Sequence, residues 1–164
     1  MREIRVEKVT LNIGCGPDAD KLKRAEKLIN TISGQKSLIT LTRGRTTFGM
    51  PKRNPIGVKV TLRKEKAVKF LIGALSAIDK ELKERQINDG EFSFGIKEYI
   101  DLPNVNYDPE VGMMGMDICV TLERPGFRIK RKSKKSKVGK KHLITKSETI
   151  EWLKKNFEVN VIGE

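Results

Sequence analysis

Apolar and polar residues alternate strictly over Val9, Thr10, Leu11, Asn12 and Ile13. A strand here turns Val9, Leu11 and Ile13 to one side and Thr10 and Asn12 to the other. The same alternation returns three times along the chain. Val58, Val60 and Leu62 oppose Lys59, Thr61 and Arg63; Phe92, Phe94 and Ile96 oppose Ser93, Gly95 and Lys97; Met116, Ile118, Val120 and Leu122 oppose Asp117, Cys119, Thr121 and Glu123. Residues 38–42 and 159–162 add a second strand and a short last one, giving five or six in all.

Helical spacing replaces alternation in three places. Leu22, Ala25, Leu28, Ile29 and Ile32 follow Asp18, a good N-cap, and precede Gly34, which suits the residue past a helix end. Ala67, Phe70, Leu71, Ala74, Leu75, Ile78 and Leu82 mark a second helix of about four turns. Thr145 and Glu148 read as a capping box opening a third through Ile150, Leu153 and Phe157. Because every strand has one apolar face, the pattern predicts an α+β fold. Its mainly antiparallel sheet is covered by helices on one face and open on the other. Residues 101–115, with two prolines and two glycines, exceed a tight hairpin and are expected to project as a loop.

The 164 residues, 37% apolar, fit a single domain over 1–164. No run of 18 apolar residues is present to span a membrane. Cys15 and Cys119 stand far apart without metal-ligand spacing and read as small buried hydrophobes.

Charge changes this picture more than composition does. The net charge of +13 points to a polyanionic partner, nucleic acid or a membrane surface. It is unevenly spread. Residues 36–64 carry +8 and residues 124–141 carry +10, neither with an acid, which leaves −5 for the remainder. The second stretch lies between a strand and a capped helix. For its residues 130–141 a disordered tail is one reading, and a tethered loop that orders when phosphates neutralise it is the one their position favours.

An open sheet face bearing Thr10, Asn12, Lys59, Thr61 and Arg63 sets phosphate binders beside short hydrogen-bonding groups. That mixture suits the shallow minor groove of folded RNA. A single-strand platform would expose aromatics for base stacking, whereas Phe92 and Phe94 fall on the apolar side. The bland alternative is a solvated surface, against which stand the two acid-free stretches. Catalytic chemistry has little to rest on: His142 is the lone histidine, no nucleophile is paired with it, and no metal or cofactor site emerges. The turn Gly14-x-Gly16 superficially resembles a phosphate loop, but Asp18 and Asp20 occupy the place of the phosphate. A nucleic-acid-processing enzyme or a general nucleic-acid chaperone remain the competing classes.

Five blocks, VEKVTLNIGCG, SGQKSLITLTR, NPIGVKVTLRK, FSFGIKEYIDLPNVNYD and GMMGMDICVTLERPGF, resemble the large ribosomal subunit protein five family in order and spacing. The resemblance implies a non-enzymatic protein of the cytoplasmic ribosome that binds 5S rRNA in the central protuberance through polar residues of the open sheet face. On this chain those are Asn12, Gln35, Thr61 and Arg63, with Lys59 added by the alternation. It also implies that the basic loop at residues 44–57, with Arg43, Arg45, Lys52 and Arg53, approaches P-site tRNA and large-subunit rRNA. The loop at 102–116 would meet a protein of the small-subunit head. Relative to the bacterial pattern the chain starts directly at the first strand and adds RPGFRIKRKSKKSKVGKKH, features that suit an archaeal member. Arg128, Lys130, Arg131, Lys132, Lys134 and Lys135 of this added segment are expected to form an auxiliary rRNA contact.

Overall fold

The computed structural model describes residues 1–45, 49–103, 105–134 and 136–163. Among the described residues, three α-helices and eight strands follow one another: β1 (Arg5–Gly14), α1 (Ala19–Ser33), β2 (Leu38–Leu41), β3 (Pro55–Leu62), α2 (Lys64–Ser76), β4 (Glu81–Lys83), β5 (Ile87–Asn88), β6 (Glu91–Ile96), β7 (Met116–Glu123), α3 (Lys146–Phe157) and β8 (Asn160–Ile162). Six strands form the main sheet in the order β2-β3-β1-β7-β6-β5, while β4 and β8 pair separately and in parallel. The fold is α+β, as the alternation and the helical spacing indicate.

The chain divides into two compact units. The first comprises Met1–Val9, Arg63–Phe94 and Cys119–Glu164, and the second Thr10–Leu62 and Gly95–Ile118. In the second, α1 packs against β3, and Leu11, Ile13, Ala25, Ile29, Val58 and Val60 are buried together with Tyr99, Val111 and Met114. Asp18 caps α1 by accepting from the Asp20 and Lys21 N–H groups at 3.0 and 3.2 Å. The Gly14-x-Gly16 turn therefore leads into a helix terminus already served by its own carboxylate. Gly34 ends α1 in the left-handed region, with φ 57°.

In the first unit α3 packs against β5, and Leu71, Leu75, Phe92, Val120, Leu122 and Leu153 are buried. The Thr145–Glu148 capping box is present: the Thr145 N–H donates to the Glu148 carboxylate at 3.0 Å and Thr145 Oγ1 accepts from the Glu148 N–H at 3.5 Å. Asp89 adds a further acceptor for the Lys146 N–H at 2.9 Å. Asp89 and Gly90, the latter at φ 71°, turn the β5–β6 hairpin. This two-residue Asp-Gly turn is a recognisable hairpin signal.

Several expectations need correction. The second helix stops at Ser76, three residues short of the left-handed Asp79 and Lys80, so Leu82 is buried as a strand residue of β4. An apolar position seven residues after Leu75 keeps helical phase, which is why spacing alone extended the helix. The last strand joins β4 and not the main sheet. Strand β3 begins at Pro55, inside the segment read as loop. Cys15 is buried, but Cys119 is exposed, as its place among the polar positions of β7 dictates.

Candidate nucleic-acid interface

On β1 and β3 the residues facing away from the core are Thr10, Asn12, Lys59 and Thr61, all half-buried, while Val9, Leu11, Ile13, Val58, Val60 and Leu62 are at most 5% exposed. Strands β1 and β3 are neighbours, so the expected residues Asn12, Lys59 and Thr61 share one sheet surface. Close approach of the two strands depends on Gly57, where a Cβ would stand 2.6 Å from the Ile13 carbonyl oxygen.

Asn12 also borders a shallow depression lined by Gly14, Gly95, Lys97, Gly115 and Asp117. Much of its floor is bare backbone, and a Cβ at Gly115 would meet the Lys97 carbonyl oxygen at 2.8 Å. A sugar-phosphate chain can approach such a floor closely, with the Asn12 amide and Asp117 carboxylate at its rim as hydrogen-bond partners and Lys97 as a cation. Asp117, Lys97 and the glycines escaped the site reading. Their signal was the polar phase of the later strands, in which Gly95 and Asp117 take the same role as Thr10 and Asn12.

Gln35 lies in the link between α1 and β2, just past Gly34, and is half-buried. Its backbone is set by Ser33, whose Oγ accepts the Gln35 N–H at 3.2 Å, and the next turn is tied by the Ser37 N–H to Asn30 Oδ1 at 2.8 Å.

Arg43, Arg45, Lys52 and Arg53 are all exposed on the two legs of the basic loop, whose residues 46–48 lie outside the described ones. Thr42, 7% exposed, closes the neck. Its N–H donates to the Asn54 carbonyl at 2.9 Å, its hydroxyl donates to the Pro51 carbonyl at 2.7 Å and accepts the Asn54 N–H at 2.9 Å, and its carbonyl accepts the Arg53 N–H at 3.0 Å. Arg53 takes the left-handed conformation, φ 66°. A buried threonine at a strand end has no periodic signature, so this clamp was invisible to pattern reading.

Of residues 102–116, where 104 lies outside the described ones, several are anchored. Leu102, Val111 and Met114 are buried, and the buried Tyr99 accepts the Asp108 N–H on its phenolic oxygen at 3.0 Å. Lys27 of α1 pairs with Asp108 at 3.0 Å and with Glu110. The ammonium and the Glu110 N–H hold the Asp108 carboxyl below its usual range, and the Glu110 and Asp108 carboxylates hold Lys27 above its own. Tyr107 and Met113 stay exposed on this excursion.

Arg63 and the added segment belong to the first unit. Arg63 pairs with Glu7 at 3.7 Å; Arg131 pairs with Glu7 at 2.6 Å and Glu123 at 2.7 Å; Arg5 pairs with Glu123 at 2.8 Å. Lys130 Nζ sits 4.7 Å from the centre of the Phe127 ring. That ring is buried and meets His142 edge-on, and His142 Nε2 bonds the Pro125 carbonyl at 2.9 Å. The lone histidine is thus a structural strut. Both ends of the segment meet the protein's own side chains. Arg128, Lys132 and Lys134 are exposed, and Lys135 lies outside the described residues.

Among the described residues no group of His, Cys, Asp or Glu is placed to hold a metal ion, and no helix is long and apolar enough to cross a membrane.

Two family models match the chain: that of ribosomal protein L5 over residues 1–45, and that of the C-terminus of the same ribosomal family over 55–152. Similar proteins include large ribosomal subunit protein uL5 of Nanoarchaeum equitans, 46% identical over 99% of this chain and 98% of its own length. The proteins of that name from Archaeoglobus fulgidus and Methanococcus aeolicus are 46% and 45% identical, over 93% and 100% of this chain and 87% and 94% of their own lengths.

Proposed function

The chain belongs to the ribosomal protein L5 family, and from that premise we propose that it binds 5S rRNA in the large subunit through the open face of β1 and β3. As a member it is a structural component of the large subunit of the cytoplasmic ribosome and not an enzyme. The observation that carries the reading is the juxtaposition of Asn12, Lys59 and Thr61 on one sheet surface beside a glycine-floored depression. Hydrogen-bonding groups there outnumber cations, which favours recognition of a folded RNA's shape over bulk charge attraction. Gln35 and Arg63 complete the set that the family resemblance assigns to 5S rRNA.

The same reading takes the exposed Arg43, Arg45, Lys52 and Arg53 as contacts to P-site tRNA and large-subunit rRNA. The anchored excursion at 102–116, with Tyr107 and Met113 outward, would meet a protein of the small-subunit head. Its exposed apolar side chains suit a protein partner better than RNA.

The test is a competition assay at moderate salt, with labelled 5S rRNA challenged by an unrelated RNA duplex. The wild type should hold 5S rRNA in preference, and the double variant Asn12→Ala, Thr61→Val should lose about 1 to 3 kcal/mol of 5S affinity. Equal binding of both RNAs would make the protein a general nucleic-acid chaperone. Undiminished 5S binding by the double variant would remove the sheet face from the mechanism.

A further inference from the structure

Three arginines from distant parts of the sequence share two carboxylates in one alternating row: Arg63, Glu7, Arg131, Glu123, Arg5. The two acids are shielded, with side chains 14% and 9% exposed, whereas the guanidinium groups are 53%, 46% and 62% exposed. Acids lie beneath and cations outward. Without the carboxylates, three like charges so near one another would splay apart in solvent. With them, Arg5 is held through Nε and one Nη on Glu123 and Arg131 through one Nη on each acid, all at hydrogen-bond length, while Arg63 stands within ion-pair range of Glu7 at 3.7 Å. Each keeps further N–H groups for another partner, since the planar group carries five donors.

From this geometry we infer that Glu7 and Glu123 are positioning residues that hold Arg5, Arg63 and Arg131 as a pre-formed track for consecutive phosphates of an RNA backbone. The inference rests on the RNA-binding reading above, which already includes Arg63, and extends the contact from there to Arg5 and Arg131, in the unit that does not hold Asn12. A phosphate arriving at this row meets guanidinium forks already oriented, so the side-chain ordering that usually opposes binding has been met on folding. Lys8 and Lys140 line the same hollow as Glu7 and Arg131 and extend its positive rim. The row also explains why Arg131 stands inside the added basic segment yet is tied down at 2.6 and 2.7 Å, unlike the exposed Lys132 and Lys134 around it.

The test turns on the sign of an effect. Removing an acid makes the protein more positive, so simple charge attraction requires Glu7→Gln and Glu123→Gln to bind 5S rRNA more tightly. A positioning role requires both to bind about 3- to 10-fold more weakly at fixed salt, because the arginines lose their fixed orientation. The exposed Glu151→Gln serves as the charge control and should bind equally or slightly more tightly. Thermal melts of each variant establish that it is folded. If Glu123→Gln does not fold, Glu7→Gln and Arg131→Gln still decide the matter, the latter flattening the dependence of log affinity on log salt by about 0.9. Tighter or unchanged binding by folded Glu7→Gln, or an unchanged salt slope for Arg131→Gln, overturns the track alone. Absence of 5S binding by the wild type would overturn both the underlying reading and the track.

Discussion

The charged residues that organise this protein are those whose partners come from elsewhere in the chain. Arg124 is 4% exposed and donates to the Leu143 carbonyl at 3.0 Å and to Glu148 at 2.7 Å, so one buried guanidinium joins the end of β7 to the start of α3. Glu148 in turn accepts the Thr145 N–H. That bond, followed by the Arg124 guanidinium, holds the Glu148 carboxyl below its ordinary 4.5. A carboxyl whose folded pKa is depressed stabilises the fold fully above its ordinary value, and the contribution is lost as pH falls through the lower folded value. Glu148→Gln is therefore expected to be less stable at neutral pH and to lose less on acidification, which urea melts from neutral into acid conditions would check. An acid limb as steep as the wild type's would show that Glu148 does not carry this dependence. Residue roles of this local kind were readable in advance. Asp18, Gly34, Thr145 and Glu148 act on backbone groups within four residues, so spacing alone exposes them. Glu7, Glu123 and Thr42 were not readable, because their partners depend on which strands become neighbours.

At the scale of elements, the four long alternating stretches all became strands with the expected phase, since burial on one face leaves a two-residue signature that few alternatives imitate. The failures are short elements. Strands β4 and β8 have three residues each, too few to show a period, and both owe their existence to pairing with one another. The basic loop illustrates the same dependence. Its legs are held by Thr42, through bonds that cross from the end of β2 to Pro51 and Asn54. Thr42→Val keeps the shape of the side chain and deletes the hydroxyl, leaving the Pro51 carbonyl and Asn54 N–H to find other partners. Amide exchange at Arg53 and Asn54 should accelerate, and global stability should fall by about 0.5 to 1.5 kcal/mol. Since the four exposed cations ride on those legs, the variant should also weaken binding to any RNA the loop contacts. Unchanged exchange at both amides would mean that the strand pairing holds the neck without the threonine.

For the whole molecule the question is how +13 is divided between holding the fold together and attracting RNA. Residues 36–64 and 124–141 together carry +18, but the structure shows that the cations within them differ in kind. Arg124 is buried in an ion pair, Arg131 is fixed between two acids, and Lys130 lies over an aromatic ring. Lys132, Lys134 and Lys137 are exposed. Exposed, unfixed lysines act on RNA mainly by releasing counterions, a contribution that ignores sequence and shape. Replacing Lys132, Lys134 and Lys137 by Ser should therefore weaken an unrelated RNA duplex and 5S rRNA by similar factors at low salt. Each lost phosphate contact should flatten the log–log salt dependence by about 0.9. If recognition lies where proposed, on Asn12, Thr61 and the fixed arginines, the preference for 5S rRNA over the duplex should survive. Salt titrations of both RNAs with both proteins measure the two quantities separately. A collapsed preference with an unaltered slope would place recognition in the lysines of the added segment and not in the sheet.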